Sequence, residues 1–127
     1  MKPVFFAIIA ALILKLFVFD FIVAQGQSME PSINDGTVLV VNRMRYGIQF
    51  PYLIRAKPGY LFRFSQPKVG DVVVFYTPLG DMAVKRCIAL SGDGYFYAEG
   101  DNSLASYDSR SYGPVSVYNI IGKVLGY

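Results

Sequence analysis

The chain has 127 residues and a formal net charge of only +3, which predicts one domain and does not by itself imply a nucleic-acid partner. It contains no histidine and a single cysteine, so a Ser-His-Asp triad, a His-ligated metal site and an internal disulfide are excluded. A nucleophilic serine in this chain needs another base, and a lysine whose pKa is lowered by burial is the realistic candidate. We expect neither a metal nor a cofactor.

The first twenty residues form an apolar run that predicts a membrane anchor. Residues 4–19 are apolar except for Lys15, and the run is marginal against the roughly 20 residues that a spanning helix needs. The long side chain of Lys15 can reach an interface, and the positive N-terminus favours a cytoplasmic location for that end. A cleavable secretory signal is the alternative. The closeness of Ser28 favours a retained anchor over residues 1–20, followed by a β-rich catalytic domain over 21–127.

A serine follows directly after this run, within residues 26–33. Pro31 restricts the residue before it to extended or turn geometry, so Ser28 is presented on a stiff, non-helical segment. A serine close to a proline is usually only part of a turn. This segment alone leaves both interpretations open.

The rest of the chain predicts an all-β domain on one N-terminal transmembrane helix. Short β-branched, apolar or alternating segments predict strands at 21–24, 37–42, 72–75, 82–90, 95–98 and 120–125. Residues 91–94 are a hairpin signal. A long polar loop covers 99–114, and no helical period appears after the anchor.

Basic and aromatic residues are interleaved between residues 43 and 68, with no acidic residue among them. Prolines and glycines there predict no regular element. Such a segment suits nucleic acid, an anionic membrane surface, or a solvated loop whose aromatic side chains fold into the core. The nearby anchor favours membrane lipid over nucleic acid as the partner.

Side chains alternate between two faces of the strand predicted at 82–90. The residues that share a face with Lys85 are small and apolar: Ala83, Cys87 and Ala89. Free lysine has a pKa of about 10.4, and a base at neutral pH needs that value lowered by roughly 2 to 3 units. Desolvation supplies such a shift. A surface-exposed Lys85 fits the same pattern, so the alternation does not decide between the two.

The segment 100–110 is unusually dense in polar groups. Asp108 and Arg110 are spaced to form a pair, and Ser106 can exchange a hydrogen bond with an amine and fix its rotamer. Segments of this composition usually serve turn chemistry alone.

Three sets of residues, in this order, resemble the motifs of the bacterial type I signal peptidases. The nucleophile motif is matched by Gly26-x-Ser28-Met29-x-Pro31. The strand and base motifs are matched by Gly70-Asp71-Val72-Val73-Val74-Phe75, Val84-Lys85-Arg86 and Gly92-Asp93. The last motif is matched by Gly100-Asp101-Asn102-Ser103 and Ser106-x-Asp108-Ser109-Arg110. The resemblance covers most of residues 16–124 and implies a signal-peptidase-like β-domain.

The resemblance also implies a role for individual residues. Ser28 is the nucleophile and Lys85 the general base. Ser106 matches the serine that orients the lysine, and Asp108 and Arg110 match the pair that braces the site. The Ser28 amide supplies one oxyanion donor, and Gly26 stands where some members carry a serine as the second. Positions lining the pockets for small substrate side chains are matched by Ala24, Met29, Ile33 and Val84.

These observations predict a serine endopeptidase of the cytoplasmic membrane that removes signal peptides from exported pre-proteins on the outer face. One alternative is a specialised Ser-Lys peptidase of a conjugation or pilin system. A second is a non-catalytic, membrane-anchored β-domain that binds partners through residues 43–68. An autocleaving, repressor-like peptidase would share the Ser-Lys pair but would not need an anchor.

Overall fold

The computed structural model describes residues 2–49 and 60–127. Part of the predicted basic and aromatic segment, residues 50–59, therefore lies outside the described residues. Within the described ranges the chain is mostly β-structure, which confirms the predicted all-β class.

The N-terminal run forms a helix that leads directly into the sheet. Helix α1 (Lys2–Ile13) continues as a π-helical segment (Leu14–Val18), and the chain becomes extended at Phe19. Lys15, which interrupts the apolar run, donates to the Asp20 carboxylate over 2.7 Å. None of the helices in the two described ranges is both long and apolar enough to span a bilayer.

Most of the described strands belong to one antiparallel sheet. The strands are β1 (Phe19–Val23), β2 (Val38–Asn42), β3 (Gly47–Gln49), β4 (Tyr60–Arg63), β5 (Val72–Tyr76), β6 (Met82–Leu90), β7 (Tyr95–Glu99), β8 (Val115–Ser116) and β9 (Ile120–Val124). Their order across the sheet is β1-β2-β9-β5-β6-β7-β8, and β3 and β4 form a separate ribbon. All six predicted strands are present, with ends that differ by no more than two residues.

The core covers both faces of the central strand β5. Residues 72–75 alternate between two apolar clusters, and all four are fully buried. A strand covered on both faces requires a continuous apolar run, which this segment supplies. The first cluster also contains Met29, so the core anchors the chain next to Ser28. Cys87 lies in the second cluster, where burial raises the pKa of its thiol to about 11.

The β3–β4 ribbon is a departure from the predicted fold. Gly47 pairs with Arg63, and a Cβ at Gly47 would lie 2.9 Å from the Arg63 Cα, so glycine permits a close strand approach here. The Arg63 guanidinium lies over the rings of Tyr60 and Tyr118, 4.8 and 5.3 Å from their centroids, and donates to the Val117 carbonyl over 2.9 Å. The prediction of no regular element is wrong because these cation–π and hydrogen-bond contacts fix the ribbon against the short helical turn (Val117–Asn119) between β8 and β9.

Short helices are a further departure, and two of them are single 3-10 turns at Ser103–Ala105 and Val117–Asn119. Helix α2 (Ser109–Tyr112) lies within the predicted polar loop 99–114, and its four residues leave no hydrophobic period to detect. The Asp108 carboxylate caps its first turn by accepting from the Arg110 amide over 3.1 Å.

Candidate active site

Ser28 lies on a non-helical turn between β1 and β2, as the sequence predicts. Its side chain is half-buried, and two apolar neighbours hold the turn in the core, since Met29 is 4% and Ile33 2% exposed. The Ile33 amide donates to the Met29 carbonyl over 2.9 Å, and the Gly26 amide donates to the Asp35 carboxylate over 2.8 Å. These contacts fix the serine against the sheet.

The loop after β7 holds the serine segment from another side. The Asn102 amide donates to the Ser28 carbonyl over 2.9 Å, and the Asn102 side chain donates to the Gln27 carbonyl over 3.1 Å. Gly100 packs so closely that a Cβ there would lie 2.5 Å from the Ser28 carbonyl oxygen and against the Ser106 hydroxyl. The loop thus positions Ser28 through backbone contacts.

Lys85 lies on β6, opposite Val73 of β5, and only 6% of its surface is exposed. Burial lowers the pKa of the amine below the ordinary lysine value; the Asp108 carboxylate opposes this shift and the Arg110 charge adds to it. The predicted alternation is confirmed as far as Cys87, which lies on the same face and is fully buried. It is wrong for Ala89, because the register of β6 against β7 shifts between Cys87 and Ala89 and pairs Ala89 with Tyr97. Of the two interpretations of the pattern, the buried lysine is the correct one.

Asp108 is the centre of a hydrogen-bonded group near Lys85. Its carboxylate is fully buried and accepts from the Ser106 hydroxyl and from the Arg110 guanidinium, each over 2.5 Å. The Gly100 amide donates to the same carboxylate over 2.9 Å. Burial by itself raises the pKa of Asp108, but these hydrogen bonds outweigh it and hold the pKa well below its usual range. The predicted Asp108–Arg110 pair is confirmed, and the carboxylate stays ionised.

A second ion pair lies next to the site and was not singled out from the sequence. Arg86 follows Lys85 on β6 and donates through Nε and Nη2 to both Asp101 oxygens, each over 2.9 Å. It also donates to the Gly70 carbonyl over 2.9 Å. The pair ties the polar loop to the strand that carries the lysine. The only sequence signal was the place of both residues within the matched motifs.

Ser28 and Lys85 line the same cleft, which has a volume of about 680 Å³. Three of the four residues predicted to line the substrate pocket also line it: Ala24, Met29 and Val84. Ile33 does not, because its side chain packs into the core. The walls include two strand edges: β1 is the edge of the sheet, and β6 pairs with β7 only from Arg86 onwards.

Backbone amides at the cleft are the candidate oxyanion donors. The Ser28 amide has no acceptor among the described residues, so it is free to donate. The Gly26 amide, the other predicted donor, is engaged by Asp35. Within the described residues there is no group of three or more potential metal-binding side chains.

A sequence profile of the family described as signal peptidase, peptidase S26, matches residues 1–94. The chain belongs to this family. The matched range includes Ser28 and Lys85, whereas the group around Asp108 lies beyond its end.

Individual proteins are similar over most or nearly all of the chain. Signal peptidase I of Bacillus caldolyticus is 27% identical over an alignment that covers 96% of this chain and 86% of that protein. A probable signal peptidase I-1 of Synechocystis sp. is 27% identical over an alignment that covers 94% of this chain and 76% of that protein. Mitochondrial inner membrane protease subunit 2 of Mus musculus is 30% identical over an alignment that covers 73% of this chain and 57% of that protein. The resemblance to type I signal peptidases predicted from the motifs is confirmed.

Proposed function

We propose that this protein is a membrane-bound serine endopeptidase that removes N-terminal signal peptides from exported pre-proteins. Membership of the signal peptidase family supports the peptidase activity and the substrate class. The observation that carries the proposal is a partly exposed serine and a buried lysine, Ser28 and Lys85, on one cleft of a chain without histidine.

Lys85 acts as the general base because burial favours its neutral form. Its amine takes the Ser28 proton while the Ser28 oxygen attacks the carbonyl carbon of the residue before the cleavage site. Lys85 then passes this proton to the leaving amine, which becomes the N-terminus of the mature protein. In the second step Lys85 takes a proton from water, the water oxygen attacks the ester, and the proton returns to Ser28. The Ser28 amide donates to the oxyanion in both steps.

Ser106 orients the lysine. Its hydroxyl proton is directed to Asp108, and one of its two acceptor positions takes the Gly100 amide over 3.2 Å. We infer that the remaining lone pair accepts from the Lys85 amine during catalysis, which leaves the nitrogen lone pair free to face Ser28. Arg110 braces this arrangement by holding Asp108.

The substrate binds as an extended strand along the open edges of β1 and β6. Such edges carry unpaired backbone groups that a peptide can use, so affinity comes from the main chain and selectivity from the side-chain pockets. The apolar lining that Ala24, Met29 and Val84 give the cleft suits the small apolar side chains of Ala-x-Ala sites.

The protein is held in the cytoplasmic membrane by residues 1–20, and residues 21–127 act on the outer face. The exposed apolar surface of α1 and the following Lys15–Asp20 pair support this arrangement. A long basic side chain at the end of an apolar helix is suited to a membrane–water interface. We propose no nucleic-acid partner for this protein.

The test is cleavage of purified pre-proteins by the full chain in detergent. Ser28→Ala and Lys85→Ala are each expected to lower kcat by about a thousandfold or more, since each removes a group that acts in the transition state. Ser111→Ala and Lys68→Ala are matched controls on exposed side chains and should cleave at the wild-type rate. Near-normal cleavage by either active-site variant would refute the mechanism. Cleavage of one dedicated precursor out of a panel would indicate a specialised peptidase.

A further inference from the structure

A second cavity lies beside the cleft, on the side of the N-terminal helix. It has a volume of about 520 Å³ and is lined almost entirely by apolar atoms. It lies between the end of the helix, the first two strands and the C-terminal turn, and we call it the helix-side groove. Its apolar lining residues are Ala11, Leu14, Phe19, Phe21, Val40 and Leu125.

The helix-side groove adjoins the cleft at one side chain. Phe21 lines both cavities and is 60% exposed. From Ala24 the wall of the cleft runs back along β1 to Phe21, while Ser28 and Lys85 lie beyond the other end of that wall. An extended peptide advances about 3.3 Å per residue, so the wall from Ala24 back to Phe21 is about 10 Å long and runs beside about three residues of an extended substrate.

We propose that the helix-side groove binds the apolar segment that precedes the cleavage site of a signal peptide. The inference rests on the proposed function. A signal peptide carries an apolar segment of about 7 to 15 residues just before a site of small residues. The cleft accepts the small residues, and the adjoining cavity has the apolar lining that the upstream segment needs. The two cavities together match the order of features along such a substrate.

The groove exists before substrate binds because its walls are joined by direct bonds. The Lys15 amine is paired with the Asp20 carboxylate over 2.7 Å, which holds the end of the helix next to β1. The Leu125 amide donates to the Val40 carbonyl over 2.8 Å, which holds the C-terminal turn on β2. A preformed apolar site loses less entropy on binding than one that must be assembled.

The test compares two substrates with the full chain in detergent. One is a pre-protein, and the other is a short peptide with the same cleavage site but no apolar segment. The double variant Leu14→Gln, Leu125→Gln makes the groove polar at two side chains that are 49% and 40% exposed. Its KM for the pre-protein is expected to rise about tenfold because apolar contacts are lost, with kcat unchanged. Its KM and kcat for the short peptide are expected to stay at wild-type values.

Leu61→Gln is the matched control, because Leu61 is 59% exposed on β4 and lines neither cavity. A second measurement uses the inactive Ser28→Ala protein and a photoreactive group in the apolar segment of the pre-protein. Cross-links are expected at Leu125 or between residues 11 and 21.

The outcomes separate the inference from the proposed function. If the double variant changes KM equally for the pre-protein and the short peptide, the inference is wrong while the peptidase activity stands. The same conclusion follows if the cross-links lie outside the groove. If the double variant loses affinity for lipid vesicles but keeps its KM for the pre-protein, the groove faces lipid and the inference is wrong. If the wild type cleaves neither substrate, the proposed function fails and the inference fails with it.

Discussion

Replacement of Lys85 by methionine is expected to stabilise the fold while abolishing peptidase activity. Methionine has a similar length and no charge, and the lysine it replaces is only 6% exposed. Removing an ionisable amine from such a site is expected to raise the free energy of unfolding by about 1 to 3 kcal/mol at neutral pH. For a chain of this size that corresponds to roughly 3 to 5 °C in Tm per kcal/mol.

The pH dependence of this effect follows from the lowered pKa of Lys85. Below the folded-state pKa the amine is charged in both states, and the cost of burying that charge is fully present. Between the folded-state and unfolded-state pKa values only the unfolded chain holds the proton, so wild-type stability rises with pH. Above the unfolded-state pKa the cost is gone. The advantage of Lys85→Met is therefore largest at low pH and shrinks as the pH approaches the ordinary lysine value.

The measurement is urea unfolding of the full chain in detergent over a pH series. Far-UV circular dichroism is the suitable signal, because the chain has no tryptophan. Lys68→Met is the control on an exposed lysine and should change stability by no more than about 0.5 kcal/mol. If Lys85→Met destabilises the fold equally at every pH, the amine is not held in a desolvated site and the argument for a neutral base is lost.

Three further substitutions test the loop that carries the last motif. Gly100→Ala brings a Cβ to 2.5 Å from the Ser28 carbonyl oxygen, and pre-protein cleavage is expected to fall by more than tenfold, as kcat measurements would detect. Arg86→Gln leaves the Asp101 carboxylate without its bidentate partner. A double-mutant cycle with Asp101→Asn, measured by urea unfolding, should give a coupling free energy of about 1 to 3 kcal/mol. If the two substitutions are additive, the ion pair does not stabilise the fold. Ser106→Ala is expected to lower kcat by about 10- to 100-fold with KM unchanged, because only the orientation of the base is lost; a change confined to KM would assign the hydroxyl to substrate binding.

Local patterns in the sequence were sufficient for most of the sheet. The run 72–75 indicates a strand covered on both faces, and the structure buries all four residues. The alternation around Lys85 identified Ala83 and Cys87 as sharing its face, but it missed the register shift that separates Ala89 from them. It did not identify whether that face is inside, because burial of a strand face depends on the elements that pack against it. Only the assembled sheet removes the amine from solvent.

Long-range contacts account for what the sequence did not predict. The β3–β4 ribbon depends on Arg63, whose partners Val117 and Tyr118 lie more than fifty positions further along the chain. The Arg86–Asp101 pair joins a strand to a loop that the chain reaches only after a hairpin. Neither contact has a local spacing that would reveal it. Ile33 matched a pocket position, but the turn after Ser28 directs it into the core.

The most direct test of the central claim is the rate at which a small acylating reagent modifies Ser28 as a function of pH. The nucleophile and base assignment predicts that this rate rises with pH and follows an apparent pKa below that of free lysine, since Lys85 must be neutral to take the proton. Lys85→Ala should remove both the labelling and its pH dependence. Labelling of Ser28 that is independent of pH, or that proceeds at the wild-type rate in Lys85→Ala, would contradict the account.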